Sequence, residues 1–261
     1  MRLQRVGAPG EERPAVRTDD GRLLDLSSVT PDIDGVFLAS GGVDRARVAV
    51  TAAELPELDP VGLRIGAPVA RPGKVVCVGL NYRDHAAETG SAIPARPVVF
   101  MKDPGTVVGP YDEVLIPRGS TRTDWEVELA VVIGRRARCL KGPGAARAVI
   151  AGYAISHDVS EREFQLEYSS QWDLGKSCET FNPLGPWLIS ADEVGDPQNL
   201  ALQLNVNGVK RQQGHTGDVI NTGTPAGVAL GLPGTPYLRP GDTVELAIDG
   251  LGTQRQTFAQ A

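Results

Sequence analysis

Between Thr123 and Gly134 the chain reads TDWEVELAVVIG, and its apolar positions alternate. Trp125, Val127, Leu129, Val131 and Ile133 fall on one side of a strand, and Asp124, Glu126, Glu128, Ala130 and Val132 on the other. The pattern predicts a half-buried strand with two glutamates, and an aspartate before them, on one face. Parallel carboxylates on such a face repel one another and lose hydration, so the strand needs a countercharge.

Other segments read the same way. KVVCVGL (74–80), RPVVFMK (96–102) and AGYAISHD (151–158) are apolar runs of strand length. PAVRT and RLLDLS flank Asp19-Asp20-Gly21 and predict a hairpin within residues 10–27. LQLNV and TVELAI run into Asn207-Gly208 and Asp249-Gly250, both hairpin turn signals. Helices are expected at TPDIDGVFLAS, with Thr30 as N-cap and Pro31 at the first position, and near Ala145 to Val149. A third opens with the capping-box spacing of Ser160 and Glu163. A fourth lies in GLNYRDHAAETG, capped by Asp84 and ended by Gly90. A stretch rich in Pro and Gly from Leu55 to Gly73 reads as a linker, dividing a small N-terminal domain (1–66) from a main domain (67–261). There is no internal repeat and no regular βαβ alternation, so the expected class is α+β, mostly β.

Composition sharpens this in a few respects. With 31 glycines and 20 prolines, the chain suits many short strands and turns. A formal net charge of −6 argues against nucleic acid as a partner, because phosphate recognition needs clustered Lys and Arg. No apolar run approaches membrane-spanning length, and MRLQRVGAPGEERP carries no signal-peptide core, so no membrane contact and a cytoplasmic location are expected. Cys77, Cys139 and Cys178 stand in no metal or redox spacing and are expected to be reduced and mostly buried.

A divalent cation would supply the missing countercharge, and an oxygen-only donor set selects Mg²⁺, Mn²⁺ or Ca²⁺ over zinc. The alternative is one glutamate at a rim and the other paired with an arginine. Asp158, where an apolar strand turns into a capped helix, is a candidate third ligand or a plain turn residue. His85 and Glu88 stand at i and i+3, close enough for the carboxylate to orient the imidazole as a general base, or to form a surface ion pair. In QWDLGKSCETFNPLGPW, Gly175 permits a close backbone approach just before Lys176. A lysine near carboxylates stays charged and can stabilise an enolate or oxyanion, although most lysines are solvated. GTPAG (223–227) looks like a ligand-approach loop. His157 faces away from Asp158 as a packing residue, and His215 has no assigned role.

Taken in order, GLNYRDHAAE, PVVFMK, DWEVELAVVIG, GYAISHDVSEREFQ, GKSCETFNPLGPW, NGVKRQQGHT, TGTPAGV and PGDTVELAIDGLG resemble the fumarylacetoacetate hydrolase family in its short bacterial form. The likeness begins near Pro72 and runs almost to the C-terminus. It implies a mixed β-sandwich or β-roll around the active site, and a homodimer. It further implies that Glu126, Glu128 and Asp158 hold one Mg²⁺ or Mn²⁺ per subunit. His85 and Glu88 match the family's water-activating pair, Lys176 its active-site lysine, and Arg162, Gln165 and Thr224 its substrate-contacting positions. The implied activity is metal-dependent hydrolysis of a C–C bond in a small keto acid of the acylpyruvate type, such as fumarylpyruvate or acetylpyruvate. The family also implies isomerase or decarboxylase alternatives acting on 2-hydroxyhepta-2,4-diene-1,7-dioate or oxaloacetate, and a metal-binding but inactive member is a third. Two departures stand out. RQQGHTGDVINTGTPAG fuses motifs that the family usually separates by a helix and a strand, as though a stretch were excised between His215 and Asn221. His157 occupies a position where asparagine is usual.

Overall fold

Short apolar runs broken by glycine and proline leave each strand unable to bury its own apolar face, and among the described residues they assemble into two large sheets that share a core and two small two-stranded ones, Val75–Gly79 with Val98–Lys102 and Thr123–Asp124 with Ser160–Glu161. The structure, a computed structural model, describes residues 1–216 and 223–261. Most of the junction between His215 and Asn221 therefore lies outside the described residues.

The larger sheet has nine strands. Its path runs Val127–Ile133, Ile150–His157, Asn182–Ser190, Arg2–Val6, Arg13–Arg17, Leu23–Asp25 and Glu57–Leu58, with all neighbours antiparallel. Ile65–Gly66 pairs with Arg2–Val6, and Val107–Val108 lies parallel to Asn182–Ser190. Residues 1–66, the expected N-terminal domain, thus feed five strands into this sheet. The second sheet orders Val209–His215, Ala201–Val206, Thr243–Ile248, Gly252–Gln260 and Val114–Ile116. Its first hairpin closes on Asn207 and Gly208, whose φ angles of 51° and 75° match the twist of the flanking strands. Val127, Leu129 and Ile155 from the larger sheet meet Leu204, Leu246 and Phe258 from the smaller one in the main core. Leu3, Val16 and Leu188 form a second cluster with Phe37 and Ala46 of the helices Gly35–Ala39 and Gly42–Thr51. The architecture is the expected β-rich α+β roll.

Several local expectations shift. The first helix starts at Gly35, because the extended Asp34 caps it by accepting the Phe37 N–H at 2.9 Å. Thr30 instead donates its hydroxyl to the Asp32 carbonyl. The helix Gly42–Thr51 was not anticipated. The 55–73 stretch is pinned by two short strands rather than left free. The helix after Asp158 is Arg162–Leu166, and Glu161 caps it by accepting from the Glu163 N–H. Ser160 is held in a bridge to Asp124, and its hydroxyl donates to the Asp158 carbonyl. The glutamate strand breaks at Trp125: Thr123–Asp124 pairs with Ser160–Glu161, and Val127–Ile133 pairs with the strand ending at His157. Its far end, Val131 and Ile133, is exposed, and so is Cys139.

Candidate metal centre and active site

The break at Trp125 positions the carboxylates. The Trp125 indole donates to the Gly227 carbonyl at 3.0 Å, and the Val127 N–H donates to Gln212 Oε1 at 3.0 Å. Val127 lies opposite His157, and the Asp158 N–H donates to the Glu126 carbonyl. That register sets Asp158 beside the glutamates. Glu126, Glu128 and Asp158 are buried, and one carboxylate oxygen from each lies within 4.8 Å of the others.

Three buried cations surround them. Lys176 Nζ lies 2.7 Å from Glu126 and 2.8 Å from Asp158. Arg162 bridges Asp124 at 2.8 Å and Glu126 at 2.6 Å, and donates to Gln165 Oε1 at 2.9 Å. Lys102, at the end of Val98–Lys102, donates to Asp158 at 2.5 Å and to the Val159 carbonyl at 3.0 Å. Burial pushes the Glu126 carboxyl up, but the Lys176 and Arg162 charges overcome it and hold the group well below the usual carboxylate range. Burial likewise disfavours the Lys176 ammonium, but Asp158 and Glu126 outweigh it and keep the group charged. Glu128 differs. Among the described residues no cation lies within ion-pair distance of it, and burial, then Asp158 and Glu126, push its carboxyl well above the ordinary range. Four carboxylates thus face three cations. A divalent ion fits this hard, oxygen-only donor set and would relieve the one carboxylate left without a countercharge.

Lys176 reaches the cluster because its helix, Asp173–Lys176, lies against the chain at Glu161 and Gln165. A Cβ on Gly175 would stand 2.3 Å from the Glu161 carbonyl oxygen, so only glycine fits there.

The helix Arg83–Glu88 supplies the second group. Tyr82 occupies its N-cap, Asp84 accepts the N–H of its own neighbour His85, and Gly90 ends it with φ 65°. His85 is buried; its Nδ1 lies 3.6 Å from Glu88 and has no hydrogen-bond partner among the described residues. Both Glu88 oxygens accept the Gly227 N–H at 3.0 Å. Thr224 donates its hydroxyl to the Val127 carbonyl at 3.1 Å and accepts from Gln212. The 223–227 loop is therefore fastened to the glutamate strand on one side and to Glu88 on the other.

His85, Glu88, Glu126, Glu128, Arg162, Gln165, Lys176 and Thr224 line one cavity of about 430 Å³, and Asp158 lies behind them. His157 packs elsewhere, edge-on to Phe258 with Nδ1 3.0 Å from Gln256; burial pushes its pKa down to about 4, so it is neutral at pH 7. Two contributors, Lys102 and Gln212, are not legible in the sequence, and a third, Asp124, is only partly so. Lys102 ends an apolar strand, a weak signal that only its burial makes informative. Asp124 falls on the carboxylate face, but its grip on Arg162 and on the N–H groups of Ala229 and Leu230 has no local signal. Gln212 left no signal.

A β-rich roll around a cavity with a buried carboxylate cluster defines the class of protein. The family model for the fumarylacetoacetate hydrolase C-terminal domain matches residues 74–218 and 215–259. The chain belongs to the fumarylacetoacetate hydrolase family. A Burkholderia multivorans protein named as a hydrolase, with no substrate given, is 47% identical over 281 aligned positions and 98% of each chain. That alignment is longer than the 261 residues here, so the relative has positions with no counterpart in this chain. The family match itself falls in two stretches that meet at the fused motifs. Among solved structures, a Mycobacterium smegmatis protein given the name HpcE is 33% identical, with full coverage of both chains and a TM-score of 0.87. A probable 2-hydroxyhepta-2,4-diene-1,7-dioate isomerase from Mycobacterium abscessus is 29% identical over 100% of this chain and 99% of that one, with a TM-score of 0.81.

Proposed function

We propose that the protein is a metal-dependent hydrolase that cleaves a carbon–carbon bond in acylpyruvate-type 1,3-diketo acids. One observation carries this reading: the carboxylate cluster and the His85–Glu88 pair line the same cavity. Glu126, Glu128 and Asp158 would hold Mg²⁺ or Mn²⁺, which when bound supplies a Lewis acid to the 2-oxo acid end of the substrate. Gln165 gives its carbonyl oxygen to Arg162, which leaves its amide N–H groups free to donate to that end.

Glu88, fixed by the Gly227 N–H, presents its charge to His85 Nδ1. The 3.6 Å gap is of the kind that tightens when substrate binds. His85 then takes a proton from water through its other nitrogen. The water oxygen bonds to the distal ketone carbon, and the bond from that carbon to the pyruvate methylene breaks. The electron pair passes to the pyruvate fragment as an enolate, and the buried Lys176 ammonium stabilises the growing charge. Return of the proton from His85 gives pyruvate and a carboxylic acid.

An isomerase or decarboxylase would use the same carboxylates and lysine without activating water, and the His85–Glu88 pair favours a hydrolase or a decarboxylase over an isomerase. The test is His85→Ala. Turnover should fall by about 10²–10⁴-fold, while Mn²⁺ or Mg²⁺ still raises the melting temperature. Full turnover would remove His85 from this role, and product analysis separates two acids from CO₂ or an isomer.

A further inference from the structure

Beyond the carboxylates, the cavity changes character. Phe100 lies 4.9 Å from the Lys176 ammonium, and Trp172 packs on Phe100 with ring centroids 5.5 Å apart. Val78, Leu80 and Leu166 also line the cavity, together with the uncharged Thr89 and Ser91. The indole is held in place: a Cβ on Gly79 would lie 2.6 Å from it. The lining holds two permanent cations, Arg162 and Lys176, and both are engaged by carboxylates. Residues 217–222, outside the described ones, read GDVINT and contain no Lys or Arg. The charged group beside His85 is Glu88, an anion, 3.6 Å from its Nδ1.

We propose that this cleft selects acylpyruvates whose acyl group is uncharged, an alkyl or aryl ketone, and selects against a second carboxylate on that group. The inference rests on the acylpyruvate reading and deepens it. The single carboxylate of a monoacid goes to the Lys176 end. A second one would leave water to lie against Phe100, Trp172 and Leu166, where among the described residues the only lining cations, Arg162 and Lys176, are already paired with carboxylates, an arrangement that burial penalises. An alkyl chain in the same place buries apolar surface instead.

The experiment compares butanoylpyruvate with succinylpyruvate, which differ by a terminal methyl against a carboxylate. Both are offered to the Mg²⁺-loaded protein, with turnover and calorimetric binding measured in parallel. The expected result is a preference for butanoylpyruvate of at least about tenfold in kcat/KM and in Kd. Leu166→Arg, which places a cation in the apolar wall, should shrink or reverse that ratio. Equal or better handling of succinylpyruvate by the wild type overturns the proposal. If neither compound is cleaved, the hydrolase reading fails by itself. The binding ratio then still decides the selectivity: tighter butanoylpyruvate supports it, and tighter or equal succinylpyruvate overturns it.

Discussion

The two halves of the active cavity are built on opposite principles. At the carboxylate end every charged group except Glu128 has a buried partner within 2.8 Å, drawn from elements far apart in the chain. At the His85 end a six-residue helix accepts two backbone N–H groups of the 223–227 loop, Gly227 on Glu88 and Ala226 on Asp84, and the imidazole–carboxylate distance is 3.6 Å. The first half is fixed by charge before any ligand arrives. The second is held lightly, which suits a group that closes on substrate. Substitutions at the first should show mainly in stability, and at the second mainly in rate.

The largest effect should come from Lys102→Met. It removes a fully buried ammonium from Asp158 and leaves that carboxylate to Lys176 alone, and loss of one partner of a buried pair costs on the order of 3 kcal/mol. Urea unfolding of the metal-free protein measures it, and a variant as stable as wild type would erase the contrast between the halves. Glu128→Gln should act in the opposite direction. The folded pKa of Glu128 lies above its unfolded value, so the folded state binds the extra proton between the two. Stability of the metal-free protein therefore falls as pH rises through that window, by about 1.4 kcal/mol per pH unit. The glutamine variant should lose that slope, gain stability near pH 7, and lose the rise in melting temperature that Mg²⁺ or Mn²⁺ gives the wild type. A retained metal response would exclude Glu128 from the ligand set. Glu88→Gln should have the smallest effect on stability, below about 1 kcal/mol, because glutamine still accepts the Gly227 N–H. Its turnover should nevertheless drop by about 10²-fold, as the imidazole loses its countercharge. A large stability loss with unchanged rate would reverse the assignment.

The same contrast explains what the sequence made legible. A period of two is a local property, so TDWEVELAVVIG displayed Glu126 and Glu128 on one face without knowledge of the fold. Gly175 before Lys176 was legible for a similar reason, since a missing side chain marks a close approach in place. Lys102 was not, because its partner stands 56 residues away and nothing near it in the sequence reports burial. Gln212 spends its side chain on the Val127 N–H, Thr224 and the Pro225 carbonyl, all non-local. The first helix starts at Gly35 because the extended Asp34 accepts the Phe37 N–H, whereas Thr30 spends its hydroxyl on the Asp32 carbonyl.

Gly227 is gripped at both ends of its backbone: the Trp125 indole holds its carbonyl and Glu88 holds its N–H. Its φ of 107°, and the 1.9 Å that would separate a Cβ from the Arg211 carbonyl oxygen, leave no alternative residue for this role. Lifting helix 83–88 would release the N–H of the same residue whose carbonyl accepts the buried Trp125 indole. Trp125 is thereby a built-in optical reporter of the helix, readable with no added label once Trp172 and Trp187 are replaced by phenylalanine.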